Sequence, residues 1–230
     1  MEPKPERRWL IPAAIIGAGL ILAIAVFVIR TSNVALPEGG NPDAIRPVAL
    51  TDHIIGNPEA AVTIVEYSDI DSEYGKAFQA VLAQLMTEYG PSGNVAWVYR
   101  HFPLTTINPY SLTHAQAAEC AKFLGTEDTF YRFIDAVNAG APGAADFNPR
   151  NYSQVLLQLG IPQGPFDECL TSGRFSRQVM ADVRNALGAG AEGAPFTVVL
   201  IEGNDPVVIN GMLPYDGMKT VIEQSLDKVQ

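Results

Sequence analysis

The chain has 230 residues, 15 Lys+Arg against 25 Asp+Glu, and a formal net charge of −10. Hydrophobic residues at 47% and charged ones at 17% exclude wholesale disorder, and the acidic balance argues against a nucleic-acid partner, whose phosphates select basic faces. Two cysteines exclude a disulfide-dense scaffold and a four-cysteine zinc site, and three widely spaced histidines (His53, His101, His114) form no ligand spacing, so neither metal nor cofactor is expected.

The first element in chain order is Trp9 to Ile29, 21 residues without a charge between Arg7-Arg8 and Arg30. An α-helix of that length rises about 31 Å, the thickness of a bilayer's hydrocarbon core. It reads as a transmembrane signal-anchor, with a cleaved signal peptide as the alternative. Lys4, Arg7 and Arg8 on the short side place residues 1–8 in the cytoplasm and the remainder outside it. The expected location is therefore the cell membrane, single-pass, with an extracytoplasmic C-terminal domain. Residues 30–48, with three prolines and the Gly39-Gly40 pair, read as a linker. Residues 49–230 read as one domain.

Within that domain Ala61 to Tyr67 (AVTIVEY) is β-rich and apolar on both faces, as a central strand is. Phe78, Val81, Leu82, Leu85, Met86 and Tyr89 then form one helical stripe, ended by Gly90-Pro91. Val95 to Arg100 is a second strand, and the strand–helix–strand spacing predicts a parallel pair with a right-handed crossover. Residues 109–188 are helical in pattern. Phe196 to Ile201 and Pro206 to Ile209 read as two strands around Gly203-Asn204-Asp205, and Pro214 opens a last helix carrying Met218, Val221 and Ile222. The predicted order is β-α-β, helical insert, β-β-α.

This order, with DHIIGNP at 52–58, TIVEYSD at 63–69, VYRHFPL at 98–104, AAECA at 117–121, GAPFTVV at 193–199 and INGMLPYDGMK at 209–219, resembles the DsbA-like thioredoxin-fold family of bacterial thiol–disulfide oxidoreductases. The resemblance implies an α/β thioredoxin-like fold with a helical insertion at about 105–190, here preceded by the N-terminal transmembrane helix. It also implies a cis bond before Pro195. One word departs: where the family carries Cys-x-x-Cys at the start of the long helix, this chain reads Ser72-Glu73-Tyr74-Gly75. A serine hydroxyl has no thiolate to attack a disulfide and no disulfide state to resolve. The motif therefore reads as degenerate and the chain as inactive at the inherited site. As plain structure, Ser72 or Asp71 is a good helix cap and Glu73 a favourable first-turn acid. The alternative is a repurposed cation or basic-peptide site built on Asp69, Asp71 and Glu73. Reinstating cysteine at positions 72 and 75 is expected to be geometrically tolerated.

By the same resemblance, Glu66 is the buried acid beneath the motif, and Ala194 with Pro195 is the edge that holds an extended peptide. Some relatives carry a second disulfide in the insert, which implies a structural Cys120–Cys169 bond, with two buried free thiols as the alternative. The function this implies is a non-catalytic, chaperone-like module binding a peptide or protein client in the envelope. The alternatives are an active thiol–disulfide oxidoreductase using Cys120 and Cys169, and a structural subunit of an envelope complex.

Overall fold

The computed structural model describes residues 41, 44–140 and 152–229. Five strands, β1 (His53–Gly56), β2 (Val62–Ser68), β3 (Val95–His101), β4 (Phe196–Ile201) and β5 (Asn204–Asn210), form one sheet in the order β1-β3-β2-β4-β5. Only the β2–β3 pair is parallel, with Val62 opposite Val95 and Ser68 opposite His101, and helix α1 (Glu73–Tyr89) makes the crossover. β2 and β3 are buried along their whole length, which is why their sequences lack polar alternation. β1 was not legible as a strand: four residues are too few to show a period, and it exists because its backbone pairs with β3, His53 opposite Tyr99.

Between β3 and β4 the described residues form α2 (Ser111–Leu124), α3 (Glu127–Gly140), α4 (Tyr152–Leu159), α5 (Gln163–Thr171) and α6 (Ser176–Gly188). A last helix, α7 (Tyr215–Asp227), packs with α1. Two cores result. Val65, Tyr67, Val98, Phe196 and Val198 project from one sheet face onto Ala186 of α6. The helical insert has its own core of Phe130, Phe133, Tyr152, Leu156 and Phe166, which encloses Cys120 and Cys169.

Arg100 is fully buried and ties the incoming chain to the sheet. Its Nε and Nη2 donate to Asp52 at 3.1 and 3.0 Å, Nη1 donates to Tyr67 Oη at 2.7 Å, and Nη2 donates to the Pro47 carbonyl at 3.1 Å. Burial pushes the Asp52 carboxyl up, but the guanidinium groups of Arg100 and Arg46 outweigh it and hold it below the usual range.

The fold is thus thioredoxin-like with an inserted helical subdomain, and the expected class needs one correction. Among the described residues no helix is long and apolar enough to cross a membrane. The span expected at 9–29 lies outside those residues, so the anchor, the single-pass topology and the membrane as partner have no support in the structure.

Candidate functional site

The inherited position lies at the carboxyl end of β2. Ser72 caps α1, its Oγ accepting from the Gly75 backbone N–H at 3.2 Å, with Glu73 in the first turn and Tyr74 68% exposed beside it. Gly75 is not a tolerant position. A Cβ built there meets Ser68 Oγ at 2.6 Å and the Asp69 carbonyl oxygen at 2.9 Å, distances that a side chain cannot keep without moving backbone. The expectation that cysteines would fit at both ends of the motif is therefore corrected: Gly75 is closed to any side chain by the strand end beneath it.

The acids nearby are used internally. Asp69 Oδ1 accepts from Asp71 N at 2.9 Å, and Oδ2 accepts from Leu104 N, Asn108 Nδ2 and Ser111 Oγ at 2.9, 3.1 and 2.9 Å. Asp71 lies 2.7 Å from His114 Nδ1. These contacts consume the oxygens a cation site on Asp69 and Asp71 needs, and Glu73 stands exposed apart from them. Glu66 is completely buried on the sheet; Trp97 Nε1 donates to its Oε2 at 3.0 Å, while Oε1 has no hydrogen-bond partner among the described residues. Burial pushes its pKa up to about 8, an effect that Ser68 and Trp97 only partly offset. The Ala194–Pro195 bond is cis, and because β4 runs antiparallel to β2 with Phe196 opposite Tyr67, it sits at the same end of the sheet as Ser72.

The redox-capable group is elsewhere. Cys120 on α2 and Cys169 on α5 are bonded, S–S 2.04 Å and Cα–Cα 5.9 Å. Ala117 and Ala121 of the same helix are buried with Cys120 in the insert's core. Cys120 is 1% exposed and Cys169 5%. Cys169 also lines a surface cleft of about 240 Å³ with Phe123, Pro165, Glu168, Ser172 and Arg174. Ser172 Oγ donates to the Cys169 carbonyl at 2.6 Å, and the Arg174 guanidinium carbon lies 4.0 Å from the Phe123 ring centroid. The two cysteines share the insert's apolar core but differ in one respect: Cys169 is among the residues lining a cleft that also carries Arg174, and Cys120 is not.

A second cluster was missed in the sequence. His53 of β1, His101 of β3 and Glu119 of α2 are all buried, and their ligand atoms lie within 4.8 Å of one another. Their spacing in sequence carries no signal. The one available cue is that Trp97, Tyr99 and His101 alternate onto one face of a strand; the antiparallel partner supplies His53 to that same face.

A family model described as "Thioredoxin" matches residues 49–224, and the chain belongs to the thioredoxin family. Among solved structures it is similar to Pseudomonas aeruginosa DsbA2 (TM-score 0.64, 22% identity, 77% of this chain and 96% of that one). It is also similar to Wolbachia pipientis alpha-DsbA1 (TM-score 0.65, 18% identity, 80% and 96%) and to a thioredoxin-like oxidoreductase from Silicibacter pomeroyi DSS-3 (TM-score 0.63, 21% identity, 81% and 98%). At these identities the likeness concerns the fold alone. Among curated proteins, the Na(+)/H(+) antiporter NhaA 1 of Salinispora arenicola and NhaA 3 of Salinispora tropica are each 30% identical over 144 residues, 63% of this chain. The chain spans about a fifth of the length of these relatives (21%).

These findings correct the functional expectation. The motif position does hold Ser72 and Gly75, yet the domain keeps a cysteine couple at bonding distance, so a degenerate, redox-incapable copy is not what the structure describes. The membrane-anchored, non-catalytic client-binding module, the reading that followed from that loss, falls with it; nothing in the described residues supports an envelope client at Ala194 and Pro195.

Proposed function

We propose that the chain takes part in thiol–disulfide exchange and that its redox couple is Cys120–Cys169. The observation that carries this reading is the bonded pair on a thioredoxin-family fold, with one of its two cysteines lining a surface cleft. In the step this geometry favours, a thiolate of a dithiol substrate attacks Cys169 Sγ, the Cys120–Cys169 bond breaks, and Cys120 leaves and takes up a proton. The substrate's second thiol, on losing its proton, attacks its own sulfur in the mixed disulfide and releases Cys169, which takes up that proton. The substrate forms a disulfide and Cys120 and Cys169 end as two thiols, so two electrons pass to the protein. Arg174 supports the incoming thiolate, and Glu168 on the same wall opposes it. The apolar surroundings of Cys120 disfavour a leaving thiolate, so the step is slow in comparison with exchange at a capped helix start.

The near-complete burial of both cysteines supports a second reading, in which the bond clasps α2 to α5 and is never opened in the folded state. Incubating the oxidised full chain with a peptide dithiol separates the two. Exchange predicts one equivalent of peptide disulfide per chain, and a Cys120→Ser variant that accumulates a mixed disulfide at Cys169 when offered an oxidised peptide. The clasp predicts neither while the chain stays folded.

A further inference from the structure

We propose that His53, His101 and Glu119 form a binding site for one divalent transition-metal ion, zinc by preference, where β1 and β3 meet helix α2. The inference is independent of the thiol-exchange reading, because both cysteines are bonded and supply no ligand.

Three observations carry it. The first is spacing: Glu119 Oε1 lies 3.0 Å from His53 Nε2 and 3.3 Å from His101 Nε2. Ligands held at about 2.0–2.2 Å around a tetrahedral zinc are separated by about 3.3–3.5 Å; the two glutamate–histidine separations are close to that, and the two histidines' ligand atoms lie within 4.8 Å, so an ion fits once the side chains adjust around it. The second is His101. It is 1% exposed, and neither of its ring nitrogens makes a hydrogen bond of sound geometry among the described residues. Its Nε2 meets Glu119 Oε1 at 3.3 Å without a well-directed hydrogen bond, and a metal–nitrogen bond satisfies such a buried imidazole better. The third is the outer layer. His53 Nδ1 lies 2.8 Å from Glu127 Oε1, Lys122 Nζ is 2.6 Å from Glu127 Oε2, and Gln178 Nε2 donates to Glu119 Oε1 at 2.7 Å. A carboxylate on the far nitrogen of a ligating histidine fixes the tautomer that points the other nitrogen at the ion. Phe130, stacked on His53 with ring centroids 3.4 Å apart, holds the ring plane.

The donor set defines the ion. Two imidazoles and one carboxylate suit zinc and its neighbours, whereas calcium and magnesium require a shell of oxygens. Three protein ligands leave a fourth position for water or a small anion. Lys122, 3.4 Å from His53 Nδ1, is a nearby cation that opposes binding, and its contact with Glu127 moderates it.

The test uses the untagged full chain, stripped with a chelator and titrated with Co(II), whose visible bands report low-coordinate nitrogen–oxygen sites. One equivalent of cobalt is expected to give a saturating spectrum that one equivalent of zinc abolishes. His101→Asn and Glu119→Gln are each expected to weaken binding at least tenfold, and Glu127→Gln by about tenfold. No saturable spectrum with the wild-type chain overturns the proposal, as does unchanged affinity in variants that circular dichroism shows to be folded. Should those variants unfold, X-ray absorption of the zinc-loaded wild type decides: two imidazoles in the shell support the site, and an oxygen-only shell overturns it.

Discussion

Glu66 and Gly75 show how one residue sets the behaviour of the strand end beneath α1. The Glu66 carboxyl titrates near 4.5 when exposed and near 8 in the fold, because burial disfavours its charge. Below pH 4.5 it is protonated in both states. Between 4.5 and 8 the unfolded chain releases the proton while the folded chain keeps it, so this residue's contribution to stability falls with rising pH and levels off above 8. At about 1.4 kcal/mol per unit, the effect is on the order of several kcal/mol. Glu66→Gln is expected to flatten the pH dependence of the denaturation midpoint between about 5 and 8, and to stabilise the protein more at the upper end of that window than at the lower. An unchanged slope would show that the acid is solvated. Gly75 makes the opposite case to helix propensity. Alanine is ordinarily better than glycine inside a helix by about 1 kcal/mol. Here its Cβ would sit 2.9 Å from the Asp69 carbonyl oxygen. Gly75→Ala is therefore expected to destabilise by about 1–3 kcal/mol in urea unfolding, and stabilisation would refute the close approach.

The strand pair β2–β3, α1 and the strands around Gly203 were legible because each is long enough, or apolar enough, to show its period. β1 was not, since its four residues are held by pairing with β3 and by Arg100 on Asp52. Removing that anchor with Arg100→Met leaves the buried Asp52 carboxylate with the partly exposed Arg46 and the Ala49 N–H among the described residues, and is expected to cost about 3–5 kcal/mol by chemical denaturation. A loss under about 1 kcal/mol would mean that β1 needs no such tie. The same limit explains the site. Cys120 and Cys169 could be named as candidates from sequence, but that one lines a cleft and the other does not depends on how α2 and α5 pack. His53, His101 and Glu119 converge only through antiparallel pairing and the docking of a helix across the sheet, and neither leaves a mark in linear spacing.

At the scale of the whole molecule, the chain keeps the thioredoxin scaffold while its disulfide lies in the inserted helices, away from the helix start that carries Ser72 and Gly75. The bond closes a 49-residue separation and is expected to contribute about 2–4 kcal/mol to stability whichever role it plays, measured as the difference between oxidised and reduced chains in urea. Stability alone therefore does not distinguish exchange from clasp. The most direct measurement is the rate at which a dithiol opens Cys120–Cys169 in the native chain, followed by alkylation and mass spectrometry at several denaturant concentrations well below the unfolding midpoint. Exchange through the Cys169 cleft predicts second-order opening that is linear in dithiol, insensitive to denaturant in that range, and slowed by Arg174→Glu. An opening rate that instead tracks global unfolding and saturates with dithiol would contradict it and leave the bond as a clasp.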